Sequence, residues 1–500
     1  MKKRIKRILI LGATTIVVSC NNSNEGLKPI SCTNPWEDDY TKVASFENMD
    51  SWGTYNVHDP IVRKFGDTYY SYSTDAIFFA RPQEGEKPSE EVIKKREEAR
   101  KRMGNVQVRK SKDLVNWDFV GWAFDSVPQE AVNWVSSVNG GRCERGLWAP
   151  FVMERNGKYR LYYCLSAFGK KTSFIGMAEA SSPEGPWEHK GCVVRTDSNS
   201  VMNAIDPSIV EDHENGKLWM IYGSFFGGLF ALELNPETGL AKTAGDQGHL
   251  VAHRANYQFD NMEAPEVIYN PHTKKYYLFV SYGPLVTTYN VRVLVAEKPE
   301  GPYLDYFGVN AATEVNTYPI LTAPYRFKNH DGWAGVAHCT VFDDGKGNYF
   351  LASQGRLSPN NHLMVFHIRP LFFNSEGWPV VSPERYAGEK NKKFAATDLI
   401  GKWEIIEIKD NEVKERKINA AGQVDDSRLL DAEVNKSVEV MLNDDNITKF
   451  NNNEFTLLYN GETIDNVVVF YGHDWERQTS TILFSGITSK GFSVWGKKVE

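Results

Sequence analysis

From about Asn56 to Ser382 the chain runs in short apolar stretches, each broken by a glycine- or asparagine-containing turn and followed by an aromatic-rich stretch. Patterns of this kind read as strands joined into hairpins. Five segments share one plan. The first two are His58-Asp59-Pro60-Ile61-Val62 leading to Tyr69-Tyr70, and Trp148-Ala149-Pro150-Phe151-Val152 leading to Leu161-Tyr162-Tyr163. The third and fourth are Ile205-Asp206-Pro207-Ser208-Ile209 leading to Leu218-Trp219-Met220, and Glu263-Ala264-Pro265-Glu266-Val267 leading to Tyr276-Tyr277-Leu278. The fifth, His338-Cys339-Thr340-Val341, lacks the proline and leads to Tyr349-Phe350-Leu351. Between them lie further strand-like pieces, such as Pro183-Glu184-Gly185-Pro186-Trp187 and its echo Pro299-Glu300-Gly301-Pro302-Tyr303. A fivefold repeat of units with several strands each predicts an all-β fold, a five-bladed β-propeller over residues 46–392. A β-sandwich would not generate that repetition.

Two stretches break the rhythm. Pro88 to Met103 alternates blocks of opposite charge and predicts a solvated helix inserted into the first blade, over about 84–104. Beyond Lys393 the plan ends, and alternating apolar and polar positions predict a second all-β module, a small C-terminal β-barrel over 393–500.

The prolines give the repeats chemical meaning. Proline cannot donate to a sheet ladder, so it belongs on an edge strand, and the innermost strand of a blade is one. The residue before proline is biased toward extended backbone. Asp59 and Asp206 directly precede a proline, Glu263 precedes Ala264-Pro265, and Trp148 and His338 stand near the corresponding place. The expectation is three carboxylates, an aromatic ring and a histidine at the mouth of one channel. Glu266 competes with Glu263, but three residues along a regular strand reverse the facing, which favours Glu263 as the one that points inward.

Composition narrows the partners. The formal charge is -7, which argues against a nucleic-acid partner. The basic Met1–Arg7, the apolar Ile8–Val18 and the Val-Val-Ser-Cys ending at Cys20 match a bacterial export signal over 1–19. A cysteine in that place resembles a lipoprotein signal, with lipidation at Cys20 and a flexible tether and lead-in over 20–45. The expectation is therefore an outer membrane lipoprotein, facing the cell surface or the periplasm, that touches membrane only through its lipid and acts as a monomer. The other cysteines show neither metal spacing nor a disulfide framework.

Three acids around one channel suit glycosidic hydrolysis with inversion. One carboxylate acts as general base on water and one carboxyl as general acid on the leaving oxygen, about 6.5–9.5 Å apart. A third raises and orients the acid. Trp148 and Phe168 are candidate sugar-stacking surfaces, and ordinary blade packing is the other reading of Phe168. His58, Asn203 and Ser224 complete the expected substrate-binding set. His338 is either a hydrogen-bonded histidine or a ligand to a channel cation held mainly through water.

The motifs HDP (58–60), WAP (148–150), NAIDPSI (203–209), MEAPEVIY (262–269) and AHCTVF (337–342) resemble glycoside hydrolase family 43, in particular its endo-arabinanases. The tail motifs GKWEI, RLLDAEV and SVWGKK resemble the lipocalin-like C-terminal β-barrel of such enzymes in Bacteroidetes. The resemblance implies an inverting hydrolase of internal α-1,5-L-arabinofuranosidic bonds in arabinan. It makes Asp59 the general base, Glu263 the general acid and Asp206 the residue that tunes and orients the acid. It also implies a Ca2+ ion held through water at His338, although Ala337-His338-Cys339-Thr340 departs from the family's more usual Gly-His-Asn-Ser. Other activities of the family, exo-arabinofuranosidase or β-xylosidase, share the same trio, and a non-catalytic glycan-binding propeller would not need a matched acid and base.

Overall fold

The computed structural model describes residues 43–76, 89–90, 93–94, 104–143, 146–254, 261–313, 316–358, 360–411 and 431–499. The signal sequence, Cys20 and all but five residues of the expected charged insert lie outside them.

Four of the repeats form separate four-stranded antiparallel sheets. The first contains β1 (His58–Phe65), β2 (Thr68–Thr74), β3 (Gln107–Ser111) and β4 (Asp118–Trp122). The second contains β5 (Trp148–Arg155), β6 (Lys158–Leu165), β7 (Ser173–Ala180) and β8 (Glu188–Thr196). The third runs β9 (Ser208–Glu211), β10 (Leu218–Tyr222), β11 (Leu229–Leu234) and β12 (His249–Ala252). The fourth runs β13 (Met262–Asn270), β14 (Lys275–Tyr282), β15 (Asn290–Ala296) and β16 (Ile320–Thr322). In each sheet the proline-bearing segment leads into the edge strand, where a missing N–H costs no ladder bond.

The fifth repeat differs from expectation. Its strands belong to a seven-stranded sheet, so the propeller has four separate blades and not five. That sheet holds β17 (Tyr325–Arg326), β18 (Trp333–Ala334), β19 (Thr340–Asp343), β20 (Tyr349–Leu357), β21 (Asn360–Phe373) and β22 (Pro379–Val381). The cause is strand length. β19 pairs with β20 only from Tyr349 to Ala352, and the uncovered end of β20 takes β18 at Arg356 and Leu357. Open backbone groups on a long strand recruit whatever strand is near. The inner strands still follow one another around an axis: β1 touches β5, β5 touches β9, β9 touches β13, β13 touches β19 and β19 returns to β1. Most of the apolar core lies between neighbouring sheets, with Tyr162, Met177 and Tyr222 fully buried between the second and third and Tyr163, on the other face, against Phe124 of the first.

The C-terminal domain is one seven-stranded antiparallel sheet, from β23 (Gly401–Ile408) to β30 (Ser493–Lys498), wrapped over Trp403, Phe455, Leu457, Val469 and Phe484. Its outermost strands, Val438–Leu442 and Ile447–Asn451, end the strand order on opposite sides, which makes a half-barrel where a small β-barrel was expected. A short strand of this domain, Asn435–Lys436, pairs in parallel with β17 and joins the propeller's seven-stranded sheet. A buried charge cluster adds to the junction: the Lys497 ammonium donates to Glu384 at 2.8 Å and lies 3.3 Å from Asp474.

Candidate active site

Each inner strand is preceded or begun by a residue with left-handed backbone. Asp59, Ala149, Asp206, Ala264 and His338 have φ of 49°, 29°, 57°, 57° and 52°. This overturns the expectation of extended backbone before the prolines. The register slips between His58 and Ile61, between Trp148 and Phe151, and between Glu263 and Glu266, so these strands carry bulges. A bulge inserts a residue, bends the edge and re-aims its side chains. It also removes an N–H from its own ladder, and the neighbouring sheet supplies the acceptor. Asp59 N–H donates to Gln354 at 2.9 Å, Ala149 to Thr74 at 2.7 Å and His338 to Ser281 at 2.9 Å. Ala264 has no such hydroxyl or amide to use, because the matching place in the third sheet is Gly223, where a Cβ would collide with the Gly228 carbonyl. Its N–H bonds Asp206 instead, at 3.2 Å.

The bulge also separates the acids by one position. Asp59 and Asp206 occupy the left-handed site itself, whereas Glu263 stands one residue before it, in the place of His58 and Trp148. The expected match of three equivalent positions is thus two and one. Glu266 is corrected as well: because the bulge resets the alternation, it too faces the axis. There it takes bonds from Arg63 at 2.9 Å, Ser208 at 3.0 Å and Thr340 at 3.0 Å, on the first, third and fifth inner strands. Buried and saturated, Glu266 is a tie between strands.

Asp59 is buried and held on both oxygens. Oδ1 lies 2.9 Å from His338 Nδ1, and Oδ2 lies 2.7 Å from His58 Nδ1 and accepts the Thr74 hydroxyl at 2.7 Å. Burial alone would raise its pKa, but the two histidines outweigh it and hold the carboxyl well below the usual range. Burial pulls His338 down while Asp59 draws it up, and the pair wins, leaving the imidazole at about 9. His58 is lowered, chiefly by burial. Glu263 accepts hydroxyls from Ser224 and Tyr289, both at 2.7 Å. Burial raises its carboxyl despite those bonds, and Asp206 is raised by burial first and by the charges of Glu263 and Asp59 next. One carboxyl is thus pushed down and two are pushed up within one cleft, the separation that assigns base and acid chemistry.

The remaining predicted residues fall into three groups. Trp148 is half-buried and meets Phe168 edge-on at 6.5 Å, and Phe168 is 54% exposed, so this pair forms an open aromatic rim. His58 and Ser224 hold Asp59 and Glu263. Asn203 is 4% exposed, its side chain bonded to Ser173, and so it stands inside the wall and not on the cleft. The expected Ca2+ would stand on the axis, where His338, Asp59, Asp206 and Glu266 line a small void and His338 Nδ1 already meets Asp59 at 2.9 Å. Among the described residues, the side chains that could close on a metal are Glu384, Asp474 and Glu476, where Lys497 already sits. Tyr289, Thr74, Gln354 and Arg63 were not foreseen. Each lies off the repeated motif, and its role arises only from the neighbouring sheet.

This fold and site define a class. Residues 53–379 match the model of glycosyl hydrolases family 43, and the chain belongs to that family. Residues 383–496 match a C-terminal lipocalin-like domain described for the same family. The chain is 28% identical to an extracellular endo-alpha-(1->5)-L-arabinanase of Thermotoga petrophila over 89% of its own length and 94% of the relative's. It is 29% identical to extracellular endo-alpha-(1->5)-L-arabinanase 2 of Bacillus subtilis, over 78% and 88% of the two chains. The crystal structure of an endo-1,5-alpha-L-arabinanase from Thermotoga petrophila superposes with a TM-score of 0.72 at 26% identity, covering 89% of this chain and 99% of that one.

Proposed function

We propose that this glycoside hydrolase cleaves internal α-1,5-L-arabinofuranosidic bonds of arabinan with inversion, Asp59 acting as general base, Glu263 as general acid and Asp206 tuning and orienting the acid. The observation that carries the reading is the opposed pair of environments: Asp59 between two histidines, Glu263 buried under two hydroxyls. A carboxylate kept charged by His58 and His338 is suited to take a proton from water. A carboxyl whose charge is disfavoured by burial is suited to give one to the departing sugar oxygen. The aromatic rim of Trp148 and Phe168 offers a flat apolar face to a furanose ring.

The names of both relatives support arabinan as substrate and an extracellular place of action. The Val-Val-Ser-Cys sequence supports delivery as a lipoprotein anchored at Cys20. Linear α-1,5-arabinan followed by chromatography tests the substrate. An early ladder of oligosaccharides is expected. Arabinose alone would mean exo action, and no release from arabinan would overturn the reading.

A further inference from the structure

Two arginines, Arg292 on β15 of the acid's own sheet and Arg254 just after β12 of the third, are buried almost completely, at 0% and 1% exposure. Both guanidiniums lie over the ring of Tyr282, at 4.5 and 4.4 Å from its centroid. Two like charges so close and so dry require a counter-charge. Asp410 brings one: its Oδ2 pairs with Arg292 and stands 3.9 Å from Arg254. Asp410 follows β23 and so belongs to the C-terminal domain. Its place is fixed by Asn435, which accepts the Lys409 N–H at 3.2 Å and donates its own N–H to the Pro324 carbonyl at 2.9 Å.

Both arginines lead to the acid. Arg292 Nε donates to Asn290 Oδ1 at 3.0 Å, and the Asn290 amide donates to the carbonyls of Tyr282 and Thr288 at 3.0 and 2.9 Å. Those bonds fix the backbone on either side of Tyr289, whose hydroxyl holds Glu263. Arg254 donates to the carbonyl of Asn261, two residues before Glu263, and Met262 pairs with Tyr282 across the ladder.

We infer that Asp410 is a positioning residue for Glu263, by which the C-terminal domain completes the acid side of a site whose carboxylates all come from the propeller. The inference rests on Glu263 being the general acid. A misplaced acid slows only the departure of a sugar that needs protonation, since a good leaving group departs unaided.

The test compares the full-length protein and Asp410→Asn on linear arabinan and on an arabinotrioside of dinitrophenol. The expected result is a fall in kcat of roughly tenfold or more on arabinan, within the range a misplaced catalytic group produces. On the dinitrophenyl substrate the change stays within about twofold, and Asp410→Glu recovers most of the loss on arabinan. Equal losses on both substrates, or no loss on either, would overturn the inference. Near-UV circular dichroism checks folding, and if Asp410→Asn does not fold, Asn290→Ala breaks the same path without stranding a charge and is judged by the same two substrates. Glu263→Gln run in parallel separates the two claims. If it loses both substrates equally, the acid assignment itself fails, whatever Asp410 does.

Discussion

Asp59, on the first inner strand, and His338, ahead of the last, meet at 2.9 Å and close the ring of strands at its chemical centre. Both residues have left-handed backbone, with φ of 49° and 52°. Such backbone costs of order 1–3 kcal/mol per residue and persists where the surroundings fix it. Here the surroundings are the neighbouring sheets, which accept the stranded N–H groups.

The Asp59–His338 pair gives stability a pH dependence. His338 is raised to about 9 from an ordinary 6.5. A histidine whose folded pKa is raised contributes stability that is full below the unfolded value and is lost as pH rises through the folded one. The melting temperature of wild type should therefore fall between about pH 6.5 and 9, and that part of the fall should be absent in His338→Gln. Thermal melts at closely spaced pH values check it, and equal slopes in the two proteins would reject the pair.

Ser224 and Tyr289 set the acid's working range. Their hydroxyls bond the charged form of Glu263 and so lower its pKa against the effect of burial. Removing either donor disfavours the carboxylate, so the pKa rises further. The alkaline limb of kcat should move to higher pH in Tyr289→Phe and Ser224→Ala, with kcat reduced by the loss of orientation. The acid limb follows Asp59, lies below the ordinary carboxylate range and should stay where it is. Profiles of kcat against pH measure both limbs.

Much of this was legible in the sequence. The fivefold spacing of hairpins, four of them led by proline, was visible because turn chemistry and strand period are local properties. The acids stood out because they precede those prolines. What the sequence hid was non-local. The bulge at Ala264 turns Glu266 toward the axis beside Glu263, and no rule of strand alternation foretells a slip in register. The capture of β18 by the long β20, which merges the fifth repeat into a larger sheet, depends on an edge that only the folded chain exposes. Tyr289 carries no motif, and its role follows from where β15 begins.

Glu266 should matter to stability and not to chemistry. It is the buried partner of Arg63 and also binds strands β9 and β19. Leaving one member of a buried pair alone costs about 3–5 kcal/mol. Arg63→Ala should therefore lower unfolding stability by about that amount in denaturant titrations, while the protein that remains folded keeps kcat near wild type. A large loss of kcat in well-folded Arg63→Ala would place Glu266 in the chemistry instead.

The stereochemical course follows from the roles of the two acids. Water activated by Asp59 attacks the face opposite the leaving oxygen, so the first product is the inverted β-anomer. Proton NMR in the first minutes of hydrolysis, before mutarotation, reads it directly. An initial α-anomer would mean a retaining route.

The central claim is that Asp59 and Glu263 divide the proton transfers between them. Its most direct measurement is kcat on linear arabinan for wild type, Asp59→Asn and Glu263→Gln, each shown to be folded by near-UV circular dichroism. The account predicts losses of about 10²–10⁴-fold in both variants, the contribution of one positioned acid or base. A folded variant of either residue that retains kcat within about tenfold of wild type, short of that range, would contradict it.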